Sequence, residues 1–319
     1  MQLSCPLCSS ITAVRVDDVA WHALVAAYAA PSLGVPVAHL WPGDTDHITL
    51  WECANCGLRW YDPPVAGDAA FYEALQRHDW YYQADKAEFT FAGRHVPAGS
   101  RVLEVGCGRG LFAQRLPAGC SYRGLEFNAK AVDAARATGL EVDVSTVQAE
   151  AEARLGAYDV VCHFQVLEHV QDVRGFLSAC VAALRPGGAL IVAVPSEDSF
   201  VGIAESGWLN MPPHHLTRRP DRALHQVAQQ FGLALAEIWH EPVAQVHQAW
   251  YRSTLVRRAL FHALGTRSAL VARRGPLSWL LRAARHARLE SALFRRGEAG
   301  FPHAGRGHTV CAVYRRMQQ

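Results

Sequence analysis

Residues 102–110 read Val-Leu-Glu-Val-Gly-Cys-Gly-Arg-Gly, and no other stretch restricts the possible fold as tightly. Val102–Val105 is an apolar, β-branched-rich run of the kind found in strands buried in a parallel sheet. It breaks into Gly106, Gly108 and Gly110, alternate positions at which the backbone can approach a ligand with no Cβ in the way. The following 111–116 segment predicts a helix opening over that ligand. A dinucleotide-binding turn would carry its third glycine at position 111, where Leu111 stands, so the usual pyrophosphate position is missing. Glu104, two residues before the first glycine, is unfavourable beside phosphate and favourable beside a cationic ligand.

The same grammar of strand, turn and helix repeats downstream. Tyr122–Phe127 reads as a second strand ending at Glu126, about 20 residues past the first glycine, where a carboxylate can accept hydrogen bonds from both ribose hydroxyls. Asn128–Thr138 has helical spacing and is stopped by Gly139. Leu140–Val144 predicts a short third strand. Tyr158–His163 predicts a fourth, followed by Phe-Gln-Val-Leu-Glu-His-Val at 164–170. Phe176–Leu184 predicts a helix closed by Arg-Pro-Gly-Gly (185–188), and Ala189–Val194 a fifth strand. Five alternations imply an α/β, doubly wound sheet with its ligand over the carboxyl ends of the strands. Ala223–Gln230 adds a helix and Leu233–Trp239 a sixth strand.

Nine cysteines do not read as a disulfide framework, because four of them form two C-x2-C knuckles, Cys5/Cys8 and Cys53/Cys56. Two such knuckles predict a tetrahedral thiolate site for structural zinc, with no open position for catalysis. Cys107, Cys120, Cys162, Cys180 and Cys311 lie in apolar elements and predict buried small side chains. Half of the residues are hydrophobic and the net charge is only +2, which leaves no case for global attraction to nucleic acid. The absence of an apolar run of about 18 residues, or of a basic start followed by a hydrophobic one, predicts a cytoplasmic protein.

The E-x-G-x-G-x-G arrangement resembles the first motif of class I S-adenosylmethionine (SAM) methyltransferases, whose cofactor carries an amino group and a sulfonium but no phosphate. The 164–170 segment resembles the post-strand "vLEHv" signature of that family. The resemblance implies a Rossmann-like sheet of seven strands, with Thr309–Tyr314 inserted antiparallel between the fifth and sixth. It implies SAM contacts from Glu104, Gly106, Cys107, Gly108, Gly110, Glu126, Phe127, Phe164 and Gln165. It gives Glu168 and His169 a bracing role in their loop. Two knuckles, the "C-x2-C-G-L-R-W-Y-D-P-P" phrase at 53–64 and the tyrosine pair 81–82 are similar to methyltransferases with an N-terminal zinc-binding domain, including C-methyltransferases of nucleotide-linked deoxysugars. The additional C-terminal α/β domain of those sugar enzymes is not expected from these 319 residues. Their Glu-His-Leu-hydroxyl loop corresponds to His214-His215-Leu216-Thr217, so His215 matches their general base while His214 replaces the acid. Histidine titrates near neutrality, as removal of an acceptor's proton requires.

The expected organisation is a zinc-binding module over 1–62, a helical aromatic linker or lid over 63–98, and a SAM-binding core over 99–245. A basic helical insertion (246–305) and the final strand of the core (306–319) follow. In the linker, Phe71, Tyr72, Trp80, Tyr81, Tyr82, Phe89 and Phe91 either pack on the main domain or, at Tyr81 or Tyr82, wall the acceptor pocket. Residues 251–300 hold eleven arginines against Glu290 and Glu298, with leucines (255, 260, 264, 270, 277, 280, 281, 293) interleaved and Gly275-Pro276 as a break between helices. They predict either a solvated cap with arginine stems covering the domain or a dock for an anionic, carrier-linked acceptor, a membrane surface or a protein. The functional expectation is methyl transfer to oxygen or carbon of a small metabolite such as a sugar, glycan precursor or polyketide. An RNA methyltransferase with a zinc module is the alternative. The post-strand-four segment lacks the Asn/Asp-Pro-Pro-aromatic signature for base amines, and nucleic acid is not the expected partner.

Overall fold

The computed structural model describes residues 3–41, 43, 45–78, 81, 86–265, 270–271 and 287–318. Its main sheet is built from strands β4 (Arg101–Val105), β5 (Ser121–Leu125), β6 (Glu141–Asp143), β7 (Tyr158–Phe164), β8 (Leu184–Pro195), β10 (Leu233–Pro242) and β11 (Arg306–Arg316). Their spatial order is β10-β11-β8-β7-β4-β5-β6. The β4–β8 strands run parallel, while β11 pairs antiparallel with both β8 and β10. This is the seven-stranded Rossmann-like sheet, with the last strand inserted where expected.

Strict alternation along the central strands explains their unbroken apolar sequences. Leu103, Val161, Leu190, Val192, Val194, Val310 and Ala312 enter one core. Val102, Val160, Cys162, Ile191, Ala193, Cys311 and Val313 enter another. Both faces of the sheet are therefore covered. Helices α4 (Ala129–Ala137), α5 (Val147–Ala153), α6 (Val173–Ala183) and α7 (Asp221–Gln230) follow their strands. Side chains cap three of them: the amides of Ala131, Ala149 and Gly175 donate to Asn128, Thr146 and Asp172.

Two local expectations need correction. Leu111–Arg115 forms a 3-10 turn, because only six residues separate left-handed Gly110 from Pro117, and proline pushes Leu116 to extended backbone. Residues 185–188 belong to β8, whose register pairs Leu184 with Tyr158; the Asp172 cap starts α6 early enough for it to end at Ala183. Val19 and Ala20 close a strand, β1 (Ala13–Ala20), and helix α1 runs over Trp21–Tyr28.

Strand β1 opens a second, antiparallel sheet in the order β1-β2-β3-β9, with β2 (His47–Cys53) and β3 (Arg59–Asp62) flanking the second knuckle. Its fourth strand, β9 (Thr217–Arg218), comes from the loop after β8 and pairs Trp60 with Thr217. An ion triad locks this junction. The Glu197 carboxylate accepts from Arg59 Nη1 (2.5 Å) and from Arg218 Nε (2.8 Å), and its side chain is only 5% exposed. Helices α2 (Ala69–Leu75) and α3 (Ala87–Gly93) lie between the two sheets in sequence. Phe71 and Leu75 join the core of the N-terminal sheet, whereas Phe89 and Phe91 join the main one. Trp80 and Tyr82 lie outside the described residues. Of the five other cysteines, four are buried and Cys120 is half-buried.

The basic insertion contributes α8 (Gln248–Ala263) and α9 (Ala287–Ala299). The helices cross closely, since a Cβ on Gly297 would meet the Leu255 carbonyl at 2.2 Å. Arg252 pairs with Glu290 (2.8 Å) and stacks over Phe294, Arg257 pairs with Glu205, and Arg258 lies over Phe301. These three arginines are engaged by groups of the chain itself. Gly275-Pro276 and Leu277, Leu280 and Leu281 lie outside the described residues.

Replacing Glu197 by alanine leaves the buried Arg218 uncompensated at the sheet junction. Denaturant unfolding should show a loss of about 3–5 kcal/mol, the usual cost of breaking a buried pair from one side. A loss within the surface-mutation range of about 0.5 kcal/mol would contradict the locking role.

Candidate active site

One cavity of about 1430 Å³ runs from the glycine turn after β4 to the 208–217 loop. That exceeds the roughly 300–1,000 Å³ usual for a single small molecule, so it has room for two reactants.

At the β4 end, the amides of Gly106 and Cys107 both donate to the Leu125 carbonyl (2.8 and 3.0 Å), folding the turn over the tip of β5. Gly106 has φ +70°, and a Cβ there would strike Val166 Cγ2 at 2.5 Å. Glycine is therefore required for both conformation and space. Glu104 is buried beneath the turn, where the Tyr122 hydroxyl donates to its Oε2 (2.6 Å), and burial pushes its carboxyl up to about 8. Glu126 follows β5, accepting from the Gly108 amide at Oε2 (2.9 Å) and from the Asn128 amide at Oε1 (2.8 Å). Each of its oxygens keeps a second lone pair. Phe127 is 71% exposed on the cavity wall, an apolar face offered to a planar group. Phe164 is buried against Phe89 and Phe112. Gln165 adopts φ +56°, rare for a residue with a side chain, and its Nε2 donates to Thr309 Oγ1 (3.2 Å).

The cavity thus gathers Glu104, Gly106, Cys107, Gly108, Glu126, Phe127, Phe164 and Gln165. Gly110 is not on its lining. A Cβ at Gly110 would hit Leu140 Cδ1 at 2.3 Å, so that glycine serves packing against the segment ahead of β6.

The other end of the cavity is made by the 208–217 loop. The N-terminal sheet holds the loop on one side: Tyr28 and Tyr61 hydroxyls donate to the Trp208 (3.0 Å) and Asn210 (3.2 Å) carbonyls, and Met211 is fully buried in the core of that sheet. On the other side, the Leu216 amide donates to the Glu168 carbonyl (2.8 Å). His214 and His215 are consequently buried, stacked 4.5 Å apart, with His169 edge-on to both at 4.6 and 4.9 Å. Glu168 Oε1 lies 4.0 Å from Nε2 of both His169 and His215. Burial pushes Glu168 up to about 7, lowers His169 to about 4 and holds His214 and His215 well below their ordinary range.

Glu168 and His169 do brace the loop, through the Glu168 carbonyl and a hydrogen bond from His169 Nδ1 to the His214 carbonyl, yet both also line the cavity. Tyr72 and Tyr81 stand on the same wall. Asn210, which accepts from His215 Nδ1 (3.0 Å), was not legible in the sequence; its only signal is its place five residues ahead in the same loop.

The two knuckles converge as their spacing predicts. One sulfur from each of Cys5, Cys8, Cys53 and Cys56 lies within 4.8 Å of the others, with Cys5–Cys56 at 3.6 Å and Cys8–Cys53 at 3.5 Å. These separations are far beyond a disulfide bond. They are close to the sulfur spacing of about 3.8 Å that tetrahedral Zn–S bonds of about 2.3 Å impose. Asn55 Nδ2 donates to Cys8 Sγ and the Cys56 amide to Cys53 Sγ, outer hydrogen bonds that suit thiolates. Arg222 reaches the Ala54 carbonyl (2.6 Å) and Arg174 the Leu7 carbonyl (3.0 Å), tying both knuckles to the main domain.

A glycine turn over a buried acid, a second acid after β5 and a seven-stranded sheet with β11 inserted are the features of the SAM methyltransferase fold. The chain belongs to the family described as "Methyltransferase domain", whose profile matches residues 75–238, just over half of its length. It is 32% identical over 152 residues to the ubiquinone biosynthesis O-methyltransferase of Pectobacterium atrosepticum, covering 46% of this chain and 59% of that protein. It is 38% identical over 152 residues to the Vibrio cholerae protein of the same name, covering 46% and 58%. The match therefore spans little more than half of these relatives. Among solved structures, a SAM-dependent methyltransferase from Archaeoglobus fulgidus aligns with a TM-score of 0.43 and 13% identity over 67% of this chain and 85% of that one. Among the described residues, no helix is long and apolar enough to cross a membrane.

The position of Glu104 generates a pH prediction. Its folded-state pKa, about 8, is above the ordinary carboxyl value of 4.5, so its contribution to stability is fully present below about 4.5 and is lost as pH rises through 8. A Glu104→Gln variant removes that titration. Denaturation midpoints should fall less for the variant than for the native chain between pH 5 and 8. Parallel curves would contradict the burial of this acid.

Proposed function

We propose that this enzyme transfers a methyl group from SAM to a hydroxyl of a small metabolite held between the glycine turn and the buried histidines. The observation that supports this reading is one continuous cavity lined by Glu104, Gly106 and Glu126 at one end and by His214 and His215 at the other. When bound, SAM supplies a methyl on a sulfonium, which needs chiefly an aligned nucleophile.

The residues fit that cofactor. Glu104 offers a carboxylate beneath the turn for a cationic amino group, and the lone pairs of Glu126 suit ribose hydroxyls. Phe127 offers its face to the adenine, and Phe164 and Gln165 form the wall nearest the methionine portion. On the acceptor side, His215 donates Nδ1–H to Asn210, which leaves Nε2 as an acceptor for a substrate hydroxyl. His214 donates Nδ1–H to the Leu209 carbonyl (2.9 Å) and likewise presents Nε2. Tyr72 and Tyr81 supply aromatic surface for the acceptor's body, in keeping with an apolar ring or chain.

Oxygen as the methylated atom is supported by the relatives, which are named O-methyltransferases. Carbon methylation is the second reading. It is favoured by Glu168, which sits 4.0 Å from His215 and supplies from another loop the acid missing at position 214. The four cysteines are assigned to structural zinc, on the strength of their tetrahedral spacing and outer hydrogen bonds. The module, linker, core and insertion boundaries at 62, 98, 245 and 305 are proposed as the organisation of the chain, with β9 as the strand the core lends to the module.

Incubation of the purified enzyme with SAM and a panel of hydroxylated small molecules, read by mass spectrometry, should give products one methylene heavier. In the same assay His215→Ala should lower turnover by about 10²–10⁴-fold while SAM affinity by calorimetry stays near native. Glu126→Ala should weaken SAM binding itself. A less than fivefold fall (about 1 kcal/mol) for His215→Ala would return this histidine to a purely structural role.

A further inference from the structure

We infer that His169, His214 and His215 form a second metal site, for a divalent cation of the zinc, iron or cobalt class, on the acceptor wall of the cavity. One ring nitrogen from each histidine lies within 4.8 Å of those of the other two. Each histidine commits its Nδ1–H to an oxygen: His169 to the His214 carbonyl, His214 to the Leu209 carbonyl and His215 to the Asn210 side chain. That fixes one tautomer in all three rings and leaves three Nε2 lone pairs, the orientation seen where a histidine ligates metal through one nitrogen and is held by the other.

The space between them lacks donors. His214 Nε2 and both oxygens of Glu168 are buried with no hydrogen-bond partner. Unpartnered buried acceptors are costly. A water molecule has two protons to offer against three nitrogens, whereas a cation answers all three at once. Glu168 Oε1, 4.0 Å from Nε2 of both His169 and His215, stands beside the cluster as an adjacent acid. Nitrogens bound tetrahedrally stand about 3.4 Å apart, so loading draws the rings slightly inward. Three imidazoles suit zinc, iron(II) and cobalt(II) better than calcium or magnesium, which take all-oxygen sets. Arg219, buried behind this turn, directs Nη2 to the Leu167 carbonyl (3.0 Å), outside the ligand set.

The site itself stands on these side chains alone. Its use rests on the methyl-transfer reading: three protein ligands leave a fourth position for the acceptor's oxygen, where a Lewis acid favours the deprotonated, nucleophilic form, and in the metal-loaded enzyme His215 is a ligand in place of the proton acceptor it is in the metal-free one.

Cobalt(II) titrated into the full-length, zinc-loaded protein tests the proposal. One further cobalt per chain should bind, with d–d absorption and no sulfur-to-cobalt charge-transfer band. His214→Ala and His215→Ala should each weaken that event by at least tenfold, about the loss seen when even an outer partner of a ligand is removed. In the unaltered protein, three imidazole ring resonances should move on cobalt addition, a readout that needs no variant. Failure to take up extra cobalt, uptake with sulfur character, or unmoved histidine signals would overturn the site. SAM calorimetry on the same samples separates the two ideas. A chain that binds SAM without extra cobalt loses only the metal site, and one that takes cobalt without SAM loses the methyl-transfer reading.

Discussion

Glu197 sits between Arg59 of β3 and Arg218 of β9, and the acceptor half of the enzyme depends on that triad. The main sheet alone would leave the chain after β8 as a long excursion over its carboxyl edge. Pairing Trp60 with Thr217 converts the excursion into a strand of the N-terminal sheet. The loop just before it is thereby pinned at both ends, by Arg218 in the triad and by Met211 in the core around Tyr28 and Ile48. Two charges buried with a shared counter-charge contribute less to net stability than to register, because removing Glu197 leaves the buried Arg218 uncompensated.

This arrangement divides the labour within one cavity. Backbone geometry builds the cofactor end: β4 and β5 end side by side, and the turn after β4 is closed by two amides on the Leu125 carbonyl. Side chains from distant segments build the acceptor end, where residues near 28, 61, 72, 168 and 215 meet. The knuckles belong to the second system. Cys5, Cys53 and Cys56 share a hydrophobic core with Leu224 and Val227 of α7, so the N-terminal ribbon is fastened to the main domain at its base as well as at β9. The short path from Cys53 to Arg59 joins the sulfur cluster to the triad.

The cofactor end was legible because its chemistry is local. Glu104, Gly106 and Gly108 are neighbours in sequence, and Glu126 follows at the spacing set by one strand, turn and strand. Gly110 fitted the same pattern for a different reason, its contact with Leu140, which residue type alone does not distinguish. The knuckles were legible because a two-residue gap is itself a metal-binding geometry. The acceptor end was less so. His214 and His215 stood out as a pair, but their partners Glu168 and His169 come from a loop some 45 residues earlier, joined to them only by tertiary hydrogen bonds. Strand β1 escaped notice because it is an edge strand, mostly exposed, with Asp17 and Asp18 breaking its alternation at a bulge. Strand β9 is two residues long, and no sequence period is visible at that length.

The central claim is that the N-terminal ribbon holds the histidine loop while leaving the cofactor end to the main sheet. Amide hydrogen exchange with and without removal of metal from the Cys5/Cys8/Cys53/Cys56 site tests it most directly, with SAM affinity followed in parallel. The account predicts faster exchange at Tyr61 and at Leu216–Arg218, unchanged protection across β4, β5 and β7, and unchanged SAM affinity. Equal exchange of the 208–218 segment in both states, or loss of protection at β4 together with SAM binding, would contradict it.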